Sequence, residues 1–122
     1  MARDLTVMLD DKPGALADLA ETLGEAGINI IGACGLTVGG KGEMHVLIDD
    51  VAKARLTLME KGIAAGEDRE VLVLSFAPKA GELGHKARAL AKAGVNLNLV
   101  YLTEDRRMVL GVDNLERAKA AL

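Results

Sequence analysis

The chain has 122 residues and a formal charge of −3, and half of it is apolar, yet it holds one Phe, one Tyr and no Trp. A slightly acidic surface without stacking aromatics leaves out a nucleic-acid partner, and a single cysteine leaves out an intramolecular disulfide framework. No apolar run reaches the roughly 18 residues that span a bilayer. The opening Met1-Ala2-Arg3-Asp4 lacks the apolar stretch of a signal peptide, so the expectation is a soluble, cytoplasmic protein with no membrane partner.

Leu5 to Leu9 reads as a central strand, with Leu5, Val7 and Leu9 on one face and Thr6 and Met8 on the other. Asp10 to Gly14 breaks it. Pro13 suits a helix start, and Asp10 and Asp11 are placed to cap the helix that follows. Leu16, Leu19, Ala20, Leu23 and Ala26 recur at helical spacing, which turns Asp18, Glu21, Thr22 and Glu25 towards water, and Gly27 is the stop. Ile28 to Val38 reads as a second strand, Gly39-Gly40-Lys41-Gly42 as a turn, and Glu43 to Asp49 as a third strand with Met44, Val46 and Ile48 on one face. Asp49-Asp50 caps a helix carrying Val51, Ala54, Arg55 and Leu58, and Ile63 to Asp68 is a weak fourth strand. In the second half the same order predicts a strand over Val71 to Phe76, a helix over Gly81 to Ala93, strands over Val95 to Leu102 and Arg107 to Val112, and a helix over Asn114 to Leu122.

The halves repeat. Aligning Gly14 with Gly81 also pairs Leu16 with Leu83, Ala20 with Ala87, Leu23 with Leu90, Gly27 with Gly94 and Asn29 with Asn96. A shared helix pattern would not force loop and turn residues to agree, so an internal duplication is expected, with units 1–69 and 70–122. The order strand, helix, strand, strand, helix, strand is the split arrangement of an α+β, ferredoxin-like βαββαβ sandwich, and the second unit lacks its own fourth strand. Units of about 60 residues are marginal alone, and the first strand of the second unit is left as an open edge, so a homodimer or larger assembly is expected.

The loop Asp11-Lys12-Pro13-Gly14-Ala15-Leu16, the helix after it and the Gly27-Ile28-Asn29-Ile30 that closes it resemble the ACT domain, a small regulatory module attached to many amino-acid biosynthetic enzymes. The resemblance implies two tandem ACT-type repeats that bind an amino acid or related small metabolite at the interface of paired units, with an amino-acid metabolic enzyme as a possible partner. Asp11, Lys12, Pro13, Gly14, Ala15, Leu16, Asn29 and Ile30 are then the ligand-binding candidates. Their chemistry suits that use: Gly14 lets a ligand approach the backbone, the helix start favours a carboxylate, Asp11 could receive an ammonium group, and Asn29 both donates and accepts. The second loop puts Pro78 where Asp11 stands and Ala80 where Pro13 stands, so it is expected to be architectural, although Glu82 could stand in as an acid.

Plainer readings stand beside these. Asp11 serves equally well as a helix cap, and Asn29 and Asn96 as turn residues. Gly39 to Gly42 lacks the spacing of a phosphate loop. His45, His85 and Cys34 are scattered without metal-ligand spacing, Cys34 reads as a small buried residue, and no pair of titratable groups is spaced for acid–base work. The reading is a non-enzyme with no cofactor and no metal; the alternative is an assembly subunit that dimerises or pairs with a biosynthetic enzyme without binding a ligand itself.

Overall fold

Strict alternation makes β1 (Arg3–Asp10) the strand on which the first half is built, because Leu5, Val7 and Leu9 all point into one buried layer. In this computed structural model, which describes residues 2–122, the chain divides after Glu70, and a second unit runs Val71–Leu122. In the first unit α1 (Ala15–Glu25), β2 (Gly32–Val38), β3 (Lys41–Ile48), α2 (Val51–Glu60) and β4 (Ala65–Arg69) follow β1. The antiparallel sheet has the order β2-β3-β1-β4, with the first and third strands in the middle. Both helices lie on one face. Leu19 and Leu23 of α1 and Ala54 and Leu58 of α2 pack against Leu5, Val7, Val46 and Ile48, and all of these are essentially inaccessible to water. Asp68 on β4 accepts hydrogen bonds from Arg55 of α2 and Arg3 of β1, which tie three elements together at the rim.

The second unit is β5 (Leu72–Ser75), α3 (Glu82–Lys92), β6 (Leu97–Leu102), β7 (Arg107–Val112) and α4 (Leu115–Ala121), with sheet order β5-β7-β6. Its core is Leu72, Leu90, Val95, Met108, Leu110 and Ala118. The repeat extends to individual backbone bonds. Lys12 N–H donates to Asp10 and Lys79 N–H to Ala77; Asp18 donates to Gly14 and His85 to Gly81; Ile28 donates to Leu23 and Val95 to Leu90. Such a match at constant offset is what a duplicated βα unit leaves behind.

Local chemistry departs from the sequence expectation in four places. The cap of α1 is Gly14, not Asp10 or Asp11, and no side chain bonds to the helix start. Asp10 is instead held by Lys41 at 2.7 Å, and Lys12 and Pro13 separate Asp11 from the cap. Residues 28–31 lie outside any strand, so Gly27-Ile28-Asn29-Ile30 is a connection and β2 begins only at Gly32. Leu16, expected inside, is 53% exposed, while Thr22, expected outside, is buried. The Thr22 hydroxyl donates to the Asp18 carbonyl 2.6 Å away within its own helix, which satisfies its polar atom and leaves its methyl group to the interior. By contrast Asp50 does cap α2, accepting from Lys53 N–H at 3.0 Å, and Asn114 does the same for α4.

The two leucines of α1 make a direct check on this packing. Leu23→Ala should cost about 2–5 kcal/mol of unfolding free energy in a denaturant titration, whereas Leu16→Ala should stay within about 0.5 kcal/mol. Equal costs would contradict the assignment of the helix faces.

Candidate functional site

The loop between β1 and α1 is shaped by backbone before it is shaped by side chains. Gly14 stands at φ 91°, in the left-handed region, and turns the chain from the loop into the helix. No neighbour comes within 4 Å of where a Cβ would project, so the requirement is conformational and not one of space. Ala15 N–H donates to the Lys12 carbonyl, and no side chain caps the N–H groups at the start of α1.

Next to this loop is a cleft of about 230 Å³. The first unit's hairpin builds its floor. At the end of the sheet nearest the loop, Leu9 pairs with Gly42 and Gly42 with Thr37; one step deeper, Val7 pairs with Met44 and Met44 with Gly35. Gly42 carries no side chain in the helix-facing layer and the Met44 thioether lies across Gly35, with Leu9 beside them and Ala15 and Leu16 on the helix side of the cleft. Asp10, Asp11, Lys12 and Thr37 supply the polar lining, with Asp10 already paired with Lys41. The Lys41 ammonium holds the Asp10 carboxyl below its usual range, through a hydrogen bond and its charge. On the other side of the loop a recess of about 420 Å³ shares Leu9, Asp10, Lys12 and Ala15 and adds Asp18, Lys41 and Lys61. A larger recess of about 450 Å³ lies between Arg55, Met59 and residues 62–65, away from the loop.

Of the residues expected to bind, the structure brings Asp11, Lys12, Ala15 and Leu16 together on the cleft. Pro13 and Gly14 shape the turn without lining it. Asn29 is elsewhere: it borders a separate recess with Asp49, Asp50 and Lys53, and α1 of 11 residues spans roughly 16 Å between it and the loop. Ile30 packs against the core. Gly35, Thr37, Gly42 and Met44 were not anticipated. A signal for them existed, because a two-residue turn at Gly39-Gly40 makes every cross-strand pair of β2 and β3 sum to the same number and so sets Gly35 beside Met44. In the second loop Gly81 repeats the left-handed turn at φ 89°, but Glu82 is buried with Lys86 3.9 Å away on its own helix and is not presented as a replacement acid.

The opposite face of the first sheet carries a polar cluster that spacing alone did not show. The same register sets Cys34 and Thr6 on either side of His45. His45 Nδ1 is 2.9 Å from the fully buried Asp4 carboxylate and Nε2 is 3.0 Å from Glu43. With both carboxylates ionised, both ring nitrogens must donate, so the geometry favours the imidazolium. Burial pushes His45 down, but the bonds to Asp4 and Glu43 outweigh it and the net shift is upward. Cys34 is half-buried, less enclosed than expected, and its thiol is pushed up by burial and by the charges of Asp4 and Glu43, which suppresses the thiolate. Among the described residues no group of three or more His, Cys, Asp and Glu is arranged to hold a metal ion, and no helix is long and apolar enough to cross a membrane.

A split βαββαβ sheet with a glycine-started helix beside an open cleft defines a ferredoxin-like α+β module. The family model of the ACT domain matches residues 3–60, so the first unit carries an ACT domain. Among solved structures, a protein from Bacteroides thetaiotaomicron is similar with a TM-score of 0.87 and 22% identity, over 98% of this chain and 85% of the other. The regulatory subunit of aspartate kinase from Thermus thermophilus, in its ligand-free form, is similar with a TM-score of 0.76 and 20% identity, over 99% of this chain and 87% of the other. The structure of aspartokinase alpha and beta subunits gives 0.74 and 18%, over 98% and 88%. At these identities the likeness is one of fold. No curated protein matches the chain.

The His45 cluster makes a pH-dependent contribution to stability whose sign is set. The folded-state pKa lies above the ordinary 6.5, so the contribution is full below about pH 6.5 and is lost as pH rises through the folded value. Unfolding free energy measured from acid to mildly alkaline pH should fall more steeply for the wild type than for His45→Gln; parallel curves would contradict the bridged imidazolium.

Proposed function

We propose that the chain is a non-catalytic regulatory module that binds an amino acid or a closely related metabolite in the cleft beside its first loop. The observation that carries this is the juxtaposition, in about 230 Å³, of two acids, one of them already paired with Lys41, one base, the start of a helix and an apolar wall. Asp11 receives the ammonium group. Lys12 and the first-turn N–H groups of α1 receive the carboxylate. Pro13 and Gly14 hold the loop in the shape that presents them.

The cleft opens beside β2, an edge strand of the sheet. A second copy pairing along β2 would close it, and Asn29, at the far end of its own α1, would reach the ligand only from such a neighbour. Binding then acts by favouring the paired arrangement, since a ligand shifts an equilibrium only by its differential affinity for two states. A regulatory role is supported by the ACT domain and by the fold shared with an aspartate kinase regulatory subunit; the partner regulated is an enzyme of amino-acid metabolism, and the protein works in the cytoplasm.

A second reading, an assembly subunit without a ligand of its own, is favoured by the edge strands. On β2, Leu36 is 59% and Val38 49% exposed, and Leu102 on the edge strand β6 is 52% exposed, a pattern that covered or paired edges show. Light scattering at micromolar concentration should give a dimer or larger; a monomeric mass would count against pairing in either reading.

A thermal-shift screen of the wild type and Asp11→Ala against the twenty amino acids tests the main reading. Ligand at about 100 times its Kd should add roughly 2.7 kcal/mol to the wild type and nothing comparable to the variant. No shift at millimolar concentration with any amino acid would contradict it.

A further inference from the structure

The geometry points to an aliphatic amino acid as the ligand, with Met44 as the residue that sets how long its side chain can be. This rests on the amino-acid reading of the cleft and adds what selects among amino acids.

The cleft is graded from rim to interior. Asp10, Asp11, Lys12 and Thr37 supply its polar lining, with Asp10 held by Lys41, and the pairing register puts Thr37 beside Gly42, level with Leu9 at the rim. One row deeper, about 7 Å along the strands, stand Met44 and Gly35, and the remaining walls are Leu9, Ala15 and Leu16. A zwitterion held by Asp11 and Lys12 therefore points its side chain into aliphatic surface. The deep row holds no charged or hydroxyl-bearing partner, so a ligand with a charged side chain would lose hydration there without replacement.

Met44 forms the inner end because position 35 is glycine. A Cβ built on Gly35 would stand 2.0 Å from Met44 Sδ, so the thioether lies across the glycine in space that any larger residue would claim. Met44 is half-buried and packs against the core of the first unit. Its length and flexibility suit it to seat against ligand side chains of differing branch.

Isothermal titration of the full chain with glycine, alanine, 2-aminobutyrate, valine, leucine, serine, aspartate and lysine tests the assignment. Affinity should rise by about fourfold for each methylene buried, up to the length that meets Met44, and aspartate and lysine should bind more weakly than any aliphatic ligand of similar size. Met44→Ala should shift the leucine-to-valine ratio towards leucine by roughly tenfold. Gly35→Ala, which displaces the thioether but leaves the core residue in place, should weaken leucine by roughly tenfold and alanine little. A flat series, a series headed by aspartate or lysine, or an unchanged ratio in a Met44→Ala protein that melts cooperatively would overturn the assignment while leaving the amino-acid reading intact. Absence of heat with every ligand would defeat that reading, and this inference with it.

Discussion

The first unit turns on a helix that begins on a left-handed glycine. Gly14 at φ 91° lets β1 end, the loop fold back on itself through the Lys12-to-Asp10 bond, and α1 start with its N–H groups uncovered by any side chain. A residue with a Cβ would pay roughly 1–2 kcal/mol for that conformation. A side-chain cap would also fill the place a ligand could take. The same backbone constraint sets the direction of α1, and with it which faces of the helix meet the sheet and which roof the cleft.

Duplication separates what this constraint makes from what chemistry adds. Gly81 repeats the turn at φ 89°, and the bonds around it match those of the first loop one for one. Lys12 and Leu16 recur as Lys79 and Leu83, but the acid does not. Pro78 takes the place of Asp11, and Glu82, the acid nearest by sequence, is buried beside Lys86. One architecture has therefore been kept twice, while the exposed acid beside the lysine belongs to the first loop.

Period-two and helical patterning made β1, β3, α1 and α2 legible in the sequence, because each buries a regular stripe, and the repeat made the second unit legible from the first. Local chemistry that competes with patterning was less legible. Thr22 escaped its polar face by bonding its own helix, and Leu16 left its apolar stripe for the rim of a cleft. The loop half of the candidate site could be read from consecutive residues. The sheet half could not be read that way, since Gly35, Thr37, Gly42 and Met44 come together only through strand register. Asn29 shows the converse: a recurring motif residue that chain order links to the loop is carried away from it by the length of a helix.

The most direct measurement is an amide chemical-shift titration of the isotope-labelled full chain with an aliphatic amino acid. The cleft assigned to the first loop should give its largest shifts at Asp11 to Leu16 and at Gly35 to Thr37, with the second loop, Pro78 to Leu83, unmoved. Shifts centred on the second loop, or on Asp49 to Lys53 at the opposite end of the first unit, would contradict it.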